Sequence, residues 1–145
     1  MTIGIANDHA GFGLKKTVLG FLKNLGYTVE DFGTHSDASV DYPDFIFPCA
    51  QAVADGSIKK AIVICGSGIG ASIVANKVKG IRCALCTNIM TAKYSRLHNN
   101  ANILALGARV VSEDDALEMI RIWLNTEFEG GRHQQRLDKI KDIET

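Results

Sequence analysis

Five short apolar runs recur along the chain, at 3–6 (IGIA), 29–32 (VEDF), 61–65 (AIVIC), 83–86 (CALC) and 103–106 (ILAL). Each is followed by a longer stretch in which apolar residues return every three to four positions, the spacing of one helical face: 13–25, 43–55, 69–78, 88–98 and 113–125. Strands that alternate with helices predict a parallel sheet, because the crossover helices must cover both of its faces. The fold class expected is therefore α/β: a single-domain, three-layer α/β/α Rossmann-like fold on a five-stranded parallel sheet. AIVIC is apolar throughout, as a central strand buried on both sides must be. Pro43 suits a first helical turn, with Asp41 placed to cap it. After the fifth helix, Gly130 and Gly131 break the chain before a short charged helix, a C-terminal tail outside the five-unit core.

The chain has 145 residues, enough for one domain with a real core. Lys plus Arg equals Asp plus Glu at 16 each, so no net field points to nucleic acid or a membrane surface as partner. The local balance differs. From Gly56 to Ser112 there is no acidic residue, while Lys59, Lys60, Lys77, Lys79, Arg82, Lys93, Arg96 and Arg109 fall there, so the middle of the chain favours an anion. The start, MTIGIANDHAG, lacks a basic flank before a long apolar run, and no stretch reaches the roughly 18 apolar residues of a membrane span. A cytoplasmic location is expected, with the four cysteines reduced. Cys83 and Cys86 form a CxxC, but in a strand, positions three apart point to opposite faces, so the two thiols should diverge.

In doubly wound folds the site lies at the carboxyl ends of the strands. Those positions here carry Asn7-Asp8-His9, then Cys65-Gly66-Ser67-Gly68-Ile69-Gly70, Thr87-Asn88 and Gly107-Ala108-Arg109. The loop GSGIGAS joins a strand to a helix, where glycine lets backbone N–H groups approach an anion. Gly66, Gly68 and Ala71 match a dinucleotide fingerprint, yet no acidic residue follows at about twenty positions for the ribose, and no Walker lysine is present. What remains is a cysteine at a strand end and a helix N-terminus, where the dipole favours thiolate. Cys65 is the best base or nucleophile, and the same loop offers an oxyanion hole. His9 and His98 are read as converging with Asp8 on one edge of the sheet. Neither HxxxH nor HExxH occurs, so no metal is expected. Arg132 and Arg136 lie four apart, so on a helix they share a face, and a bound dianion would relieve their repulsion.

Taken together, NDHAGF (7–12), DFGTHS (31–36), DYPDF (41–45), ICGSGIGASIVANK (64–77), GIRCAL (80–85), SRLHNNAN (95–102) and EGGRHQQR (129–136) resemble the ribose-5-phosphate isomerase B family, which includes galactose- and allose-phosphate isomerases. The resemblance implies a cofactor-free aldose–ketose isomerase of a phosphosugar. It implies a homodimer, or a tetramer built from dimers, with each site completed by residues of both subunits and the tail, 129–145, packed on the partner. It implies that Cys65 moves a proton between C2 and C1 through a cis-enediolate, assisted by Ser67, where many relatives carry threonine. Backbone N–H groups of Gly66, Gly68, Ile69, Gly70 and Ala71, with Asn99, would hold the enediolate. His98 would open the sugar ring, Asp8 and Tyr42 would hold hydroxyls, and His9, Arg109, Arg132 and Arg136 would bind phosphate. A branch of the family replaces the cysteine by a glutamate in the following helix; Cys65, with Ala71 near that position, places this chain in the cysteine branch. The substrate expected is D-ribose 5-phosphate, with a hexose 6-phosphate such as allose 6-phosphate, or non-catalytic phosphosugar or nucleotide binding, as the alternatives.

Overall fold

The computed structural model describes residues 1–144. Its strands are β1 (Thr2–Asn7), β2 (Thr28–Asp31), β3 (Lys60–Cys65), β4 (Cys83–Leu85) and β5 (Ile103–Gly107). The helices between and after them are α1 (Phe12–Asn24), α2 (Pro43–Ala54), α3 (Ile69–Asn76), α4 (Ile89–Leu97), α5 (Glu113–Asn125) and α6 (Arg132–Ile143). All neighbouring strands are parallel, in the order β2-β1-β3-β5-β4. The α/β class, the five-stranded sheet and the helical tail are as the hydrophobic pattern predicts.

The strands divide their side chains unequally between the two faces. Ile3, Ile5, Ile62, Ile64, Leu104 and Leu106 point to one side and pack against Val18 and Leu22 of α1, Ala92 of α4, and Met119 and Trp123 of α5. Ala6, Ala61, Val63, Cys65 and Ala105 point to the other, under Ile46, Cys49 and Val53 of α2 and Ala71 and Ala75 of α3. The small side chains on this second face let α2 and α3 lie close to the sheet. Each fully buried Ile or Leu contributes about 1.5–3 kcal/mol, so packing rather than helix propensity holds these short helices. Cys83 joins the second layer and Cys86 the first, so the CxxC thiols do diverge across the sheet.

Helix α2 differs from expectation at its start. Asp41 does not cap it: the N-cap position is Tyr42, no side chain bonds the first turn, and Asp41 contributes only a carbonyl to the Asp44 N–H, at 3.2 Å. With Pro43 at N1 one of the free N–H groups is already removed, and a backbone turn meets another need. The helix also runs through Pro48, which removes one interior hydrogen bond. Burial of Ile46, Cys49, Ala50 and Val53 offsets that loss.

Candidate active site

The strand order creates the cleft. From β1 the chain turns outward to β2, whereas β3 sits on the other side of β1, so the loops leaving β1 and β3 part at their carboxyl ends. Asn7 of β1 lies in register with Ile64 of β3, which brings Asp8 beside Cys65. A cleft of about 580 Å³ opens there, and Asp8, Tyr42, Cys65, Gly66, Ser67, Ile69, Gly70 and Arg109 line it, with Ile73 and Val110 as apolar walls.

Local backbone bonds hold these groups. The Gly68 N–H donates to the Cys65 Sγ at 3.2 Å, and the Ile69 N–H to the Ser67 hydroxyl at 3.2 Å. Gly68 carries φ +80, and a Cβ there would meet Leu85 at 2.6 Å and the Leu106 carbonyl carbon at 2.9 Å, so only glycine fits. A Cβ on Gly70 would meet the Tyr42 ring at 2.5 Å; the missing side chain is what seats the phenol at the mouth of the cleft. Arg109 is set by its own N–H, which donates to the Gly66 carbonyl at 2.9 Å. The Asp8 carboxylate accepts from the Gly11 N–H at 3.1 Å. The His9 Nδ1 accepts from the Val40 N–H at 3.1 Å, which leaves any ring N–H on Nε2. Gly68 and Ala71 are buried behind the loop rather than in the cleft.

His98, Asn99, Arg132 and Arg136 are not in this cleft. The expectation that His98 converges with Asp8 on one edge is overturned by the direction of α4. A helix that follows a parallel strand runs back across the sheet, and nine residues carry it about 13 Å. His98 ends that helix and therefore lies at the amino-terminal edge, where the neighbouring Asn102 carbonyl already accepts from Ala61 at the start of β3. There the His98 ring stacks on His133 of α6, with centroids 4.2 Å apart, and the Glu129 carboxylate lies 3.9 Å from each imidazole. Arg132 and Arg136 are exposed on the first turns of α6. Asn99 faces a second hollow, of about 500 Å³, between the β4 edge and α6.

Sequence reasoning missed Lys15, which is buried in α1 and bonds the Asp31 carboxylate, at 3.1 Å, and the Thr34 carbonyl. It ties α1 to the carboxyl end of β2, beside the cleft. It also missed the partnership of Glu129 and His133 with His98, for which EGGRHQQR carried only a motif and no fold neighbour. Burial pushes the Cys49 thiol up to about 12, helped by Glu30 and Asp31, and pushes Cys83 up further.

A thiol, a glycine loop and an arginine at the carboxyl edge of a doubly wound parallel sheet define an α/β enzyme of Rossmann-like fold. The sequence model of the Ribose/Galactose Isomerase family matches residues 3–140. The ribose-5-phosphate isomerase B structure from Clostridium thermocellum superposes with a TM-score of 0.98, at 57% identity, covering 99% of this chain and 97% of that one. Ribose-5-phosphate isomerase B from Mycoplasma genitalium, solved with bound ribulose-5-phosphate, gives a TM-score of 0.94 at 44% identity over 99% of this chain and 97% of its own. The ribose-5-phosphate isomerase B of Escherichia coli (strain K12) is 44% identical over 142 residues, 98% of this chain and 95% of the relative. The chain belongs to the Ribose/Galactose Isomerase family, in its ribose-5-phosphate isomerase B group, and is an aldose–ketose isomerase. No helix among the described residues is long and apolar enough to cross a membrane.

Proposed function

We propose that this chain interconverts D-ribose 5-phosphate and D-ribulose 5-phosphate in the cytoplasm, without metal or organic cofactor. The observation that carries the reading is the Cys65 sulfur in the cleft between β1 and β3, with an N–H donor on it and Asp8 beside it. In the open-chain aldose, Cys65 thiolate takes the C2 proton, and the electron pair left behind forms the C1–C2 double bond and places charge on O1. A proton passes from O2 to O1, the thiol returns its own proton to C1, and O2 becomes the ketone oxygen. Loop N–H groups of Gly66, Ser67 and Gly70, on the cleft side of the loop, hold the cis-enediolate, each donor worth about 3 kcal/mol in the transition state. Ser67 assists, Asp8 and Tyr42 hold sugar hydroxyls, and His9 and Arg109 face the phosphate.

His98, read as the ring-opening acid, lies on the opposite edge of the sheet from Cys65 of its own chain. The proposal is therefore a homodimer in which the partner subunit's His98, Asn99, Arg132 and Arg136 complete each cleft. Two features support it. The outer surfaces of α2 and α3 beside the cleft expose Phe47, Ile69 and Ile73, at 46%, 53% and 54%. The tail helix buries only His133 and Leu137, leaving Ile140 and Ile143 uncovered, as fits a segment that packs on a second copy.

Turnover of D-ribose 5-phosphate measured against allose 6-phosphate tests the substrate. A pentose preference is expected, and a strong preference for the hexose overturns it. Should Cys65→Ala retain full turnover, the proposed chemistry is wrong.

A further inference from the structure

The end of α4 carries a cluster that proton transfer at Cys65 does not use. The His98 ring lies between Tyr94, at 4.8 Å and 36°, and His133, at 4.2 Å and 14°. One carboxylate oxygen of Glu129 faces the His98 Nε2 and the other faces the His133 Nε2, each at 3.9 Å. The Glu129 N–H donates to the Leu97 carbonyl at 3.0 Å, so the segment that delivers this carboxylate is tied to the residue before His98. His133 is 6% exposed, and its Nε2 is fully buried without a hydrogen-bond partner among the described residues. A buried polar atom left this way is costly unless it has a task. Three donor atoms this close could suggest a cation, but stacked imidazoles direct their in-plane lone pairs along parallel planes, whereas one ion needs them to converge.

We propose that Glu129 and His133 are positioning residues for His98: the stack fixes the plane of its ring, and the carboxylate beside Nε2 fixes which edge of the ring turns inward, so that Nδ1 is the nitrogen left to face a sugar. This rests on the reading of His98 as the ring-opening acid. In that step the C1–O4 bond of the furanose breaks, O4 receives the proton held by His98, and the O1 hydroxyl releases its proton to Asp8 as the C1 carbonyl forms. An imidazole free to rotate would deliver that proton poorly, and a carboxylate facing one ring nitrogen holds the ring so that the other is the one presented. Burial, His98, Arg132 and Arg136 lower the pKa of His133 while Glu129 opposes them. The charged and titratable groups around the ring are thus Glu129, His133, Arg132, Arg136 and Tyr94.

The test separates ring opening from enolisation. D-Ribulose 5-phosphate cannot close a furanose ring, because the oxygen that would close it carries the phosphate, so exchange of its C1 proton with deuterated water needs only the Cys65 half of the reaction. Glu129→Gln and His133→Asn should each lower turnover of D-ribose 5-phosphate about ten-fold, less than the roughly 10²–10⁴-fold of a lost general acid because His98 itself remains, and leave the exchange rate nearly unchanged. His98→Asn should show the same selective loss, more severely. If Glu129→Gln, a substitution at a half-exposed site that will fold, turns over ribose 5-phosphate at the parent rate, or loses turnover and exchange in parallel, the positioning role is wrong. If His98→Asn is itself unselective, the reading of His98 falls first and this inference with it.

Discussion

Cys65 differs from the other three cysteines in where its sulfur points. Cys49 and Cys86 are packed into the layers beside the sheet, Cys83 is half-buried at the β4 edge, and burial raises the pKa of each. Cys65 also ends a buried strand, but its sulfur meets a backbone N–H and borders the cleft. Iodoacetamide should therefore label Cys65 first, read by peptide mass spectrometry, and a bound phosphosugar should protect it. Labelling of Cys49 at an equal rate would contradict the packing described. Cys65→Ala should cost turnover roughly 10² or more, the scale of a lost acid–base group, with the thermal unfolding midpoint little changed.

At the scale of elements, the glycine loop and the tail helix answer different tests. Gly68→Ala would force a side chain into a left-handed backbone and against β5, so a loss of about 1–3 kcal/mol is expected in denaturant unfolding. Gly70→Ala is different, because its clash is with the outer end of the half-exposed Tyr42 side chain, which can swing away. That variant should keep its stability and show a raised KM. Helix α6 should respond to acid. Its anchor, His133, has a pKa below the ordinary histidine value in the folded chain, so the unfolded chain binds the extra proton more readily. The stability it contributes is complete above the unfolded value of about 6.5 and falls as the pH drops through and below it. Unfolding midpoints measured at pH 7.5 and 5.5 should differ in that direction, and less so in His133→Gln.

The whole molecule poses the question of how one site is shared. If each cleft takes Cys65 from one chain and His98 from the other, then Cys65→Ala and His98→Asn proteins, each nearly inactive, should regain activity when unfolded together and refolded. Random pairing with two-fold symmetry leaves about a quarter of the clefts intact. No recovery would mean that both groups act within one chain, which the direction of α4 opposes. Much of this was legible beforehand. Alternating apolar runs predict five strand–helix units with boundaries within a residue or two, because a strand buried on both faces and a helix buried on one leave different periods in the residue pattern. The residues at the strand ends are local as well, so Asp8, Cys65, the glycine loop and Arg109 could be picked out before any fold was known. The strand order could not, since it depends on which faces bury against each other across long stretches of chain. Nor could the displacement of His98 to the opposite edge, the capping of α2 by backbone alone, or the meeting of Glu129 and His133 with His98. What the amino-acid sequence determined by itself was the identity of the units and of the reactive groups at their tips, since these follow from local period and residue chemistry. Which of those tips share a cleft was decided only by the tertiary structure, because a parallel sheet sends every strand one way and every crossover helix back.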